Sequence, residues 1–332
     1  EIVTESINDK EKINLLKSFC DEKLGKGVIL CKDTPGFIGN RVGVYAMQVA
    51  MTEAFKMGLT VEEADAVFGR PMGIPKTGVF GLYDLIGLDL MADVLKSFIK
   101  ELPKDDPFHE VAKENPLVTK LICEGYTGRK GKGGFYRINK DKDKKVLESI
   151  NLKTGEYAPS KKIDLNKINE KLLNYRNVVQ TKIINYAASL VPHVTEDHNN
   201  IDEAMRLGFN WTMGPFEMLH EMGINSEVNK ENKTLIKFAD ILKEKYIKFG
   251  HDPKEFSDWY GEKQLYLEHS LSTLRRIKHA VRINVPGPIK SKYERYGIKY
   301  KQHSAKLYSY NLINPGYTIA EFTTKANTLD PK

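Results

Sequence analysis

The sequence predicts a mainly α protein: two copies of one helical domain, preceded by the closing strand, helix and strand of an α/β sheet. Three features carry this prediction. From Thr34 onward apolar residues recur almost wholly at helical spacing, Val28 to Cys31 form a continuous β-prone run, and a pattern spanning Asp65 to Asp89 returns at Asp202 to Asn225.

Glu1-Ile2-Val3 is a short extended piece, and Ile7 to Leu24 places Ile13, Leu16, Phe19, Cys20 and Leu24 at helical spacing. Gly25 and Gly27 stop that helix, and Val28-Ile29-Leu30-Cys31 has the unbroken apolar character of a buried parallel strand. Two strands and a helix bury too little surface to stand alone, so the rest of their sheet is expected outside the 332 residues. Glu1, where an initiating Met would stand, supports the same expectation of a chain cut from a longer one.

Thr34 suits an N-cap and Pro35 a first helical position, opening a helix through Gly36 to Met57 that Gly58 ends. A second helix starts at Thr60, with Glu62, Glu63 and Asp65 at the positive end of its dipole. Leu82 to Leu102 reads as a third, stopped by Pro103. A short helix around Pro116 to Glu124 leads into TGRKGKGGFYRI, a glycine-rich turn entering an extended tail.

Residues 139–165 are charged and turn-rich and read as a linker between a first helical domain, 34–138, and a second, 166–230. GVFGLYDLIGLD in the first is echoed by GPFEMLHEMGIN in the second. The Gly-x-Phe follows its leading Asp by 13 residues in one copy and 12 in the other, and long helices beginning near Arg41 and Arg176 precede them. The period is about 136 residues, an internal duplication.

Residues 231–316 are irregular and basic. Within them Thr234 to Phe249 and Leu271 to Val281 read as helices, Trp259 to Leu267 as extended, and 284–316 as a loop or disordered insertion. Residues 317–332 read as the start of another domain, with Tyr317 to Lys325 alternating like a strand.

A hydrophobic content of 41% excludes wholesale disorder. No apolar run approaches the roughly 18 residues of a membrane span, and the polar start has no secretory h-region. Cys20, Cys31 and Cys123 are too few and scattered for a disulfide framework or zinc cluster, which fits a reducing cytoplasm. The net charge of +7 is local, since residues 271–306 alone carry ten Lys/Arg against Glu294. A solvated insertion is the commoner meaning of such a run, and nucleic-acid binding ranks last.

No GxGxxG opens a helix after a strand, and GxxxxGK[ST], HExxH, GxSxG and CxxC do not occur. His193 and His198 read as a solvated surface pair, and no metal site is expected. Lys130 lies in a flexible cationic turn where it could meet a phosphate or ribose, although an exposed turn lysine is the commoner case. Asn40 lies in the second turn of a helix that follows a buried strand end, where ligands of open α/β sheets sit. It can donate to a carbonyl or alkoxide oxygen; from position alone, a site residue and a structural polar residue stand level.

KDTPGFIGNR, Lys32 to Arg41, resembles the junction between the NAD-binding and C-terminal domains of 3-hydroxyacyl-CoA dehydrogenases. The resemblance continues through FGRPMG and GVFGLYDLIGLD to GRKGKGGFY, Gly128 to Tyr136. YAASLVPHV and IDEAMRLGFNWTMGPFEML look like a second C-terminal domain, as in multifunctional fatty-acid β-oxidation proteins. LSTLRRIK and YTIAEFTTKANTLDP resemble the lead-in and first strand of a hydratase/isomerase domain.

The resemblance makes residues 1–33 the remnant of a Rossmann-like NAD-binding domain. It implies NAD-dependent oxidation of 3-hydroxyacyl-CoA to 3-oxoacyl-CoA, with Asn40 orienting the reacting oxygen and Lys130 close to the bound NAD. It also implies that the catalytic His, the Glu that polarises it and the dinucleotide glycines precede Glu1, so that the chain is inactive alone. The implied partners are an acyl-CoA bound through the complete enzyme, a homo-oligomer, or separately encoded NAD-binding and hydratase parts. The alternatives are a docking or dimerisation module completed by another polypeptide, and a remnant of a decayed gene.

Overall fold

A computed structural model describes residues 1–5, 7–139, 145–165, 168–222, 300–302, 305–309 and 318–322. Strands β1 (Ile2–Val3) and β2 (Leu30–Cys31) pair in parallel, Ile2 opposite Leu30 and Val3 opposite Cys31. Between them runs α1 (Lys10–Ser18), which continues as a π-helical turn over Phe19–Lys23. The strand–helix–strand start is as the periodicity predicts, but no residue of α1 is buried.

The apolar stretch that follows becomes α2 (Gly39–Met57), most of whose residues are buried. It starts later than Thr34 and Pro35 suggest. Residues 34–38 form a tight turn in which the Phe37 N–H donates to the Thr34 carbonyl at 2.9 Å, and Ile38 holds the cap position. The reason is Glu1. Its carboxylate, brought alongside by β1, accepts the Ile38 and Gly39 amides at 2.8 and 2.9 Å and takes the place expected for the Thr34 hydroxyl.

Helix α3 (Val61–Val67) has the expected start: Thr60 Oγ1 accepts the Glu63 amide at 3.2 Å, and Glu63 Oε2 accepts that of Thr60 at 2.9 Å. The single helix predicted over Leu82 to Leu102 is two, α4 (Val79–Ile86) and α5 (Leu88–Glu101). Gly87, at φ 112°, separates them, and the Leu88 amide turns to the Thr127 carbonyl at 2.9 Å. Two short helices follow, α6 (Phe108–Val111) and α7 (Pro116–Cys123), the latter capped by Asn115.

Residues 139–165 are more than a linker. β3 (Tyr136–Asn139), β4 (Val146–Ile150) and β5 (Tyr157–Pro159) form an antiparallel sheet, with Tyr136 opposite Ser149 and Ser149 opposite Ala158. Its polar residues are paired rather than solvated. Glu148 is buried between Arg137 Nε and Asn139 Nδ2, both at 2.9 Å, and Ser149 Oγ donates to Glu62 at 2.6 Å.

The second repeat supplies α8 (Glu170–Ser189), α9 (Asn199–Phe209) and α10 (Pro215–Met222). α2 and α8 pack antiparallel, with Tyr45 stacked on Tyr186 at 3.8 Å and Tyr175 Oη donating to the Ala50 carbonyl at 2.9 Å. Contacts are reciprocal, α3 touching α8 and α9 touching α2, so both repeats bury their apolar faces in one core.

The duplicated sequence pattern now has a physical meaning. Asp65 accepts the Phe80 and Gly81 amides at 2.7 and 3.0 Å, and Asp202 accepts those of Phe216 and Glu217 at 2.9 and 3.2 Å. Each Asp is a remote cap for the helix that its Gly-x-Phe begins.

By itself, a second antiparallel sheet joins β6 (Tyr300–Gln302), β7 (Ala305–Ser309) and β8 (Thr318–Phe322), with Tyr300 opposite Leu307 and Ser309 opposite Thr318. β8 lies within the stretch predicted as a strand, while β6 and β7 lie in the stretch read as loop or disordered insertion. The pairing of β7 with β8 crosses residues 310–317, beyond the reach of a local periodicity. The elements expected at 234–249, 259–267 and 271–281 fall outside the described residues.

Candidate functional site

The turn from β2 into α2 brings a carboxylate and an amide together. Glu1 Oε1 holds the first amides of α2, and Asn40 stands exposed on the first turn of the helix, one turn nearer its start than expected. The dipole end favours the Glu1 charge, and the Asn40 Nδ2 group can donate to a developing negative oxygen. Nothing in the sequence pairs position 1 with 38 and 39; the contact exists because β1 lies beside β2. The nearby Cys31 thiol is no nucleophile: burial, reinforced by the Glu1 charge, pushes it up to about 11.

Behind the turn, Arg41 is locked in place. Its Nε donates to Tyr186 Oη at 2.7 Å, its Nη1 to the Pro35 carbonyl at 3.2 Å, and its Nη2 pairs with Asp106. Thr34, Pro35, Arg41, Asp106 and His193 line a cavity of 590 Å³ on this side. His193 is exposed, but His198 is buried with its ring edge on Phe216 at 5.2 Å, which corrects the expectation of a solvated pair. Among the described residues no group of three or more His, Cys, Asp or Glu is placed to hold a metal ion.

Lys130 is exposed in the glycine turn, which is tied down rather than flexible. The Gly128 amide donates to the Gly133 carbonyl at 2.7 Å, Arg129 to Asp84 at 2.8 Å, and Lys132 to Gly125 at 3.2 Å. The Asp84 carboxylate accepts the Phe135 and Tyr136 amides at 2.8 and 2.7 Å, fixing the exit into β3. Neither Asn40 nor Lys130 lines the cavity beside Arg41, the one of 940 Å³ reached by Arg129 and Lys132, or an apolar one of 460 Å³ between α5 and α7. The described residues do not by themselves fit a dinucleotide, because the amides at the start of α2 are taken by Glu1 and those of the glycine turn largely by its own carbonyls.

Two buried acids beside that turn make stability depend on pH. Burial pushes Asp65 up to about 7 against its three hydrogen bonds, and pushes Asp84 up to about 6 against the Tyr136 and Phe135 amides and the Arg129 charge. The native state keeps protons that the unfolded chain releases from about pH 4, so stability falls as pH rises from about 4 to about 7. The expected result is a urea midpoint that declines between about pH 4 and 7 and levels off above it; a flat or rising profile over that interval contradicts it.

Comparison with known proteins covers the helical part of the chain. A profile of the 3-hydroxyacyl-CoA dehydrogenase C-terminal domain matches residues 36–138 and 175–250. A candidate fatty acid oxidation complex trifunctional enzyme of Rickettsia prowazekii is 36% identical over 280 residues, 81% of this chain and 38% of that protein. A candidate 3-hydroxyacyl-CoA dehydrogenase of Bacillus subtilis is 30% identical over 246 residues, 69% of this chain and 31% of that protein. The crystal structure of Escherichia coli 3-hydroxybutyryl-CoA dehydrogenase aligns at a TM-score of 0.47 and 18% identity, over 82% of this chain and 67% of that one. The chain thus spans less than two fifths of the two curated relatives. No helix among the described residues is long and apolar enough to cross a membrane.

Proposed function

The chain belongs to the 3-hydroxyacyl-CoA dehydrogenase C-terminal-domain family, and from that premise we propose that it is the helical part of an NAD-dependent 3-hydroxyacyl-CoA dehydrogenase of fatty-acid β-oxidation. The reaction is oxidation of a 3-hydroxyacyl-CoA to the 3-oxoacyl-CoA, and the place is the cytoplasm. The observation that carries the proposal is the Glu1 carboxylate held at the start of α2, with Asn40 one residue beyond. Asn40 donates to the C3 oxygen of the substrate, and Glu1, oriented by two amides, rather than an acid preceding it as the resemblance implied, supplies the charge that holds a catalytic imidazolium. Lys130 stands near the cofactor in the complete enzyme. NAD, when bound there, would supply the hydride acceptor; the described residues do not cradle it.

The test is acetoacetyl-CoA reduction with NADH. The 332-residue chain alone is expected to show no turnover, and addition of a separately produced dinucleotide-binding domain to restore it. Asn40→Ala then lowers the restored rate by about 10²–10³-fold. Turnover by the chain alone, or an unchanged rate in the variant, contradicts the proposal.

A second reading, a docking module completed by a separate polypeptide, is favoured by α1. Ile7, Leu15 and Leu16 on and beside this helix are 81%, 71% and 47% exposed, an apolar stripe that asks for a cover. Tight association with the added domain before any substrate is present separates this from simple reconstitution of activity.

A further inference from the structure

The 940 Å³ cavity between α3, the glycine turn and the segment after β5 has a charge that the dehydrogenase proposal does not use. Lys76, Arg129, Lys161 and Lys162 line it, and among the described residues none of the four has an ion-pair partner. Four cations without a salt bridge around one concavity, of which Arg129 also acts on the Asp84 carboxylate, raise a local positive potential that focuses anions. They are not loose surface charges. The Lys161 amide donates to Glu62 Oε1 at 3.0 Å, and the Arg129 amide donates to the Asp84 carbonyl at 2.8 Å. Both cationic segments are therefore anchored through the backbone while their side chains form no salt bridge among the described residues.

The acids of the same cavity do little to cancel them. Glu62 is engaged by Ser149 Oγ and the Lys161 amide. Asp65 and Asp84 are spent on the Phe80, Gly81, Phe135 and Tyr136 amides, and burial leaves both partly protonated near neutral pH. Part of the lining is apolar. Ile138 and Leu147 line the cavity while 55% and 51% exposed, a cost that a flat apolar group would relieve. The volume lies within the roughly 300–1,000 Å³ usual for small-molecule sites.

We propose that this cavity binds a nucleotide headgroup, its base against Ile138 and Leu147 and at least two phosphate charges among Lys76, Arg129, Lys161 and Lys162. The headgroup has two possible sources, the 3′-phosphorylated adenosine end of a coenzyme thioester or a free nucleoside diphosphate. Binding follows from an anion and an apolar face together, so neither pyrophosphate nor adenosine alone should match it.

The experiment is equilibrium binding to the 332-residue chain of adenosine 3′,5′-bisphosphate, ADP, pyrophosphate and adenosine, at two salt concentrations. At least one bisphosphorylated adenosine should bind more than tenfold tighter than pyrophosphate or adenosine, and weaken as salt rises. Preference for the 3′,5′ form identifies the coenzyme end, and preference for ADP the free nucleotide. Lys161→Glu/Lys162→Glu is expected to weaken binding at least tenfold, with Lys76→Glu/Arg129→Glu as the second variant should the first change the unfolding midpoint. No binding at millimolar ligand, pyrophosphate or adenosine binding as tightly, or unchanged affinity in both charge-reversed variants overturns the proposal. Because none of these readouts involves turnover or Asn40, the proposal stands or falls apart from the dehydrogenase assignment.

Discussion

Arg41→Leu is expected to destabilise the chain by about 3–5 kcal/mol, the cost of stripping one partner from a buried ion pair. The side chains of Arg41 and Asp106 are 5% and 7% exposed. Without the guanidinium, Asp106 keeps the Phe108 amide at 2.9 Å and Tyr186 Oη at 3.1 Å, but no compensating charge. Asp106→Leu leaves the converse, a buried guanidinium with only Tyr186 Oη and the Pro35 carbonyl. The double variant Arg41→Leu/Asp106→Leu removes both charges and should recover much of the loss. Urea denaturation of the four proteins gives the coupling directly. A single-variant loss under about 1 kcal/mol sinks the claim that the pair is a buried, mutually dependent unit. The consequence reaches the site, since Arg41 bonds the Pro35 carbonyl in the turn that sets where α2, and so Asn40, begins.

What could be read from the sequence depends on how far apart the interacting residues lie. The Thr60–Glu63 capping box spans three residues and the spacing alone predicts it. The cap of α2 comes from Glu1, 37 residues before Ile38, so the local signal points instead to Thr34. That hydroxyl ends up buried without a partner among the described residues. In the same way Arg137, Asn139 and Glu148 read as a solvated linker until strand pairing sets them side by side. The duplication is legible because it is a comparison of the chain with itself, and it needs no contact to be known. Of the candidate site, Asn40 and Lys130 can be picked out from short motifs. Glu1 cannot, nor can the cationic cavity, whose Lys76, Arg129 and Lys161 come from three segments joined only by packing.

Gly78→Ala is expected to cost about 3–5 kcal/mol, from two separable effects. Gly78 sits at φ 73° and ψ 179°, a region that costs a side chain about 1–3 kcal/mol. A methyl group there would also overlap the Asp65 carboxylate, and such overpacking costs about 1–3 kcal/mol more. The second repeat is an internal replicate of the second effect: a methyl group at Gly214 would overlap Asp202, including its backbone Cα, so Gly214→Ala should be comparably severe. Gly208→Ala is the control. It lies in α9 with nothing within 4 Å of the added carbon, and should be neutral or stabilising by up to about 1 kcal/mol. Asp65→Gly, which also removes the Cβ that the added methyl would meet, separates the cap from the clash. It strands the Phe80 and Gly81 amides and the Tyr136 hydroxyl, at about 1–3 kcal/mol for each group left unsatisfied. In Gly78→Ala/Asp65→Gly the overlap is gone but the backbone strain and the lost bonds remain, so the double loss should fall short of the sum by about the overpacking cost. Additivity within about 0.5 kcal/mol would falsify the overlap and leave backbone strain as the whole reason for glycine at that position.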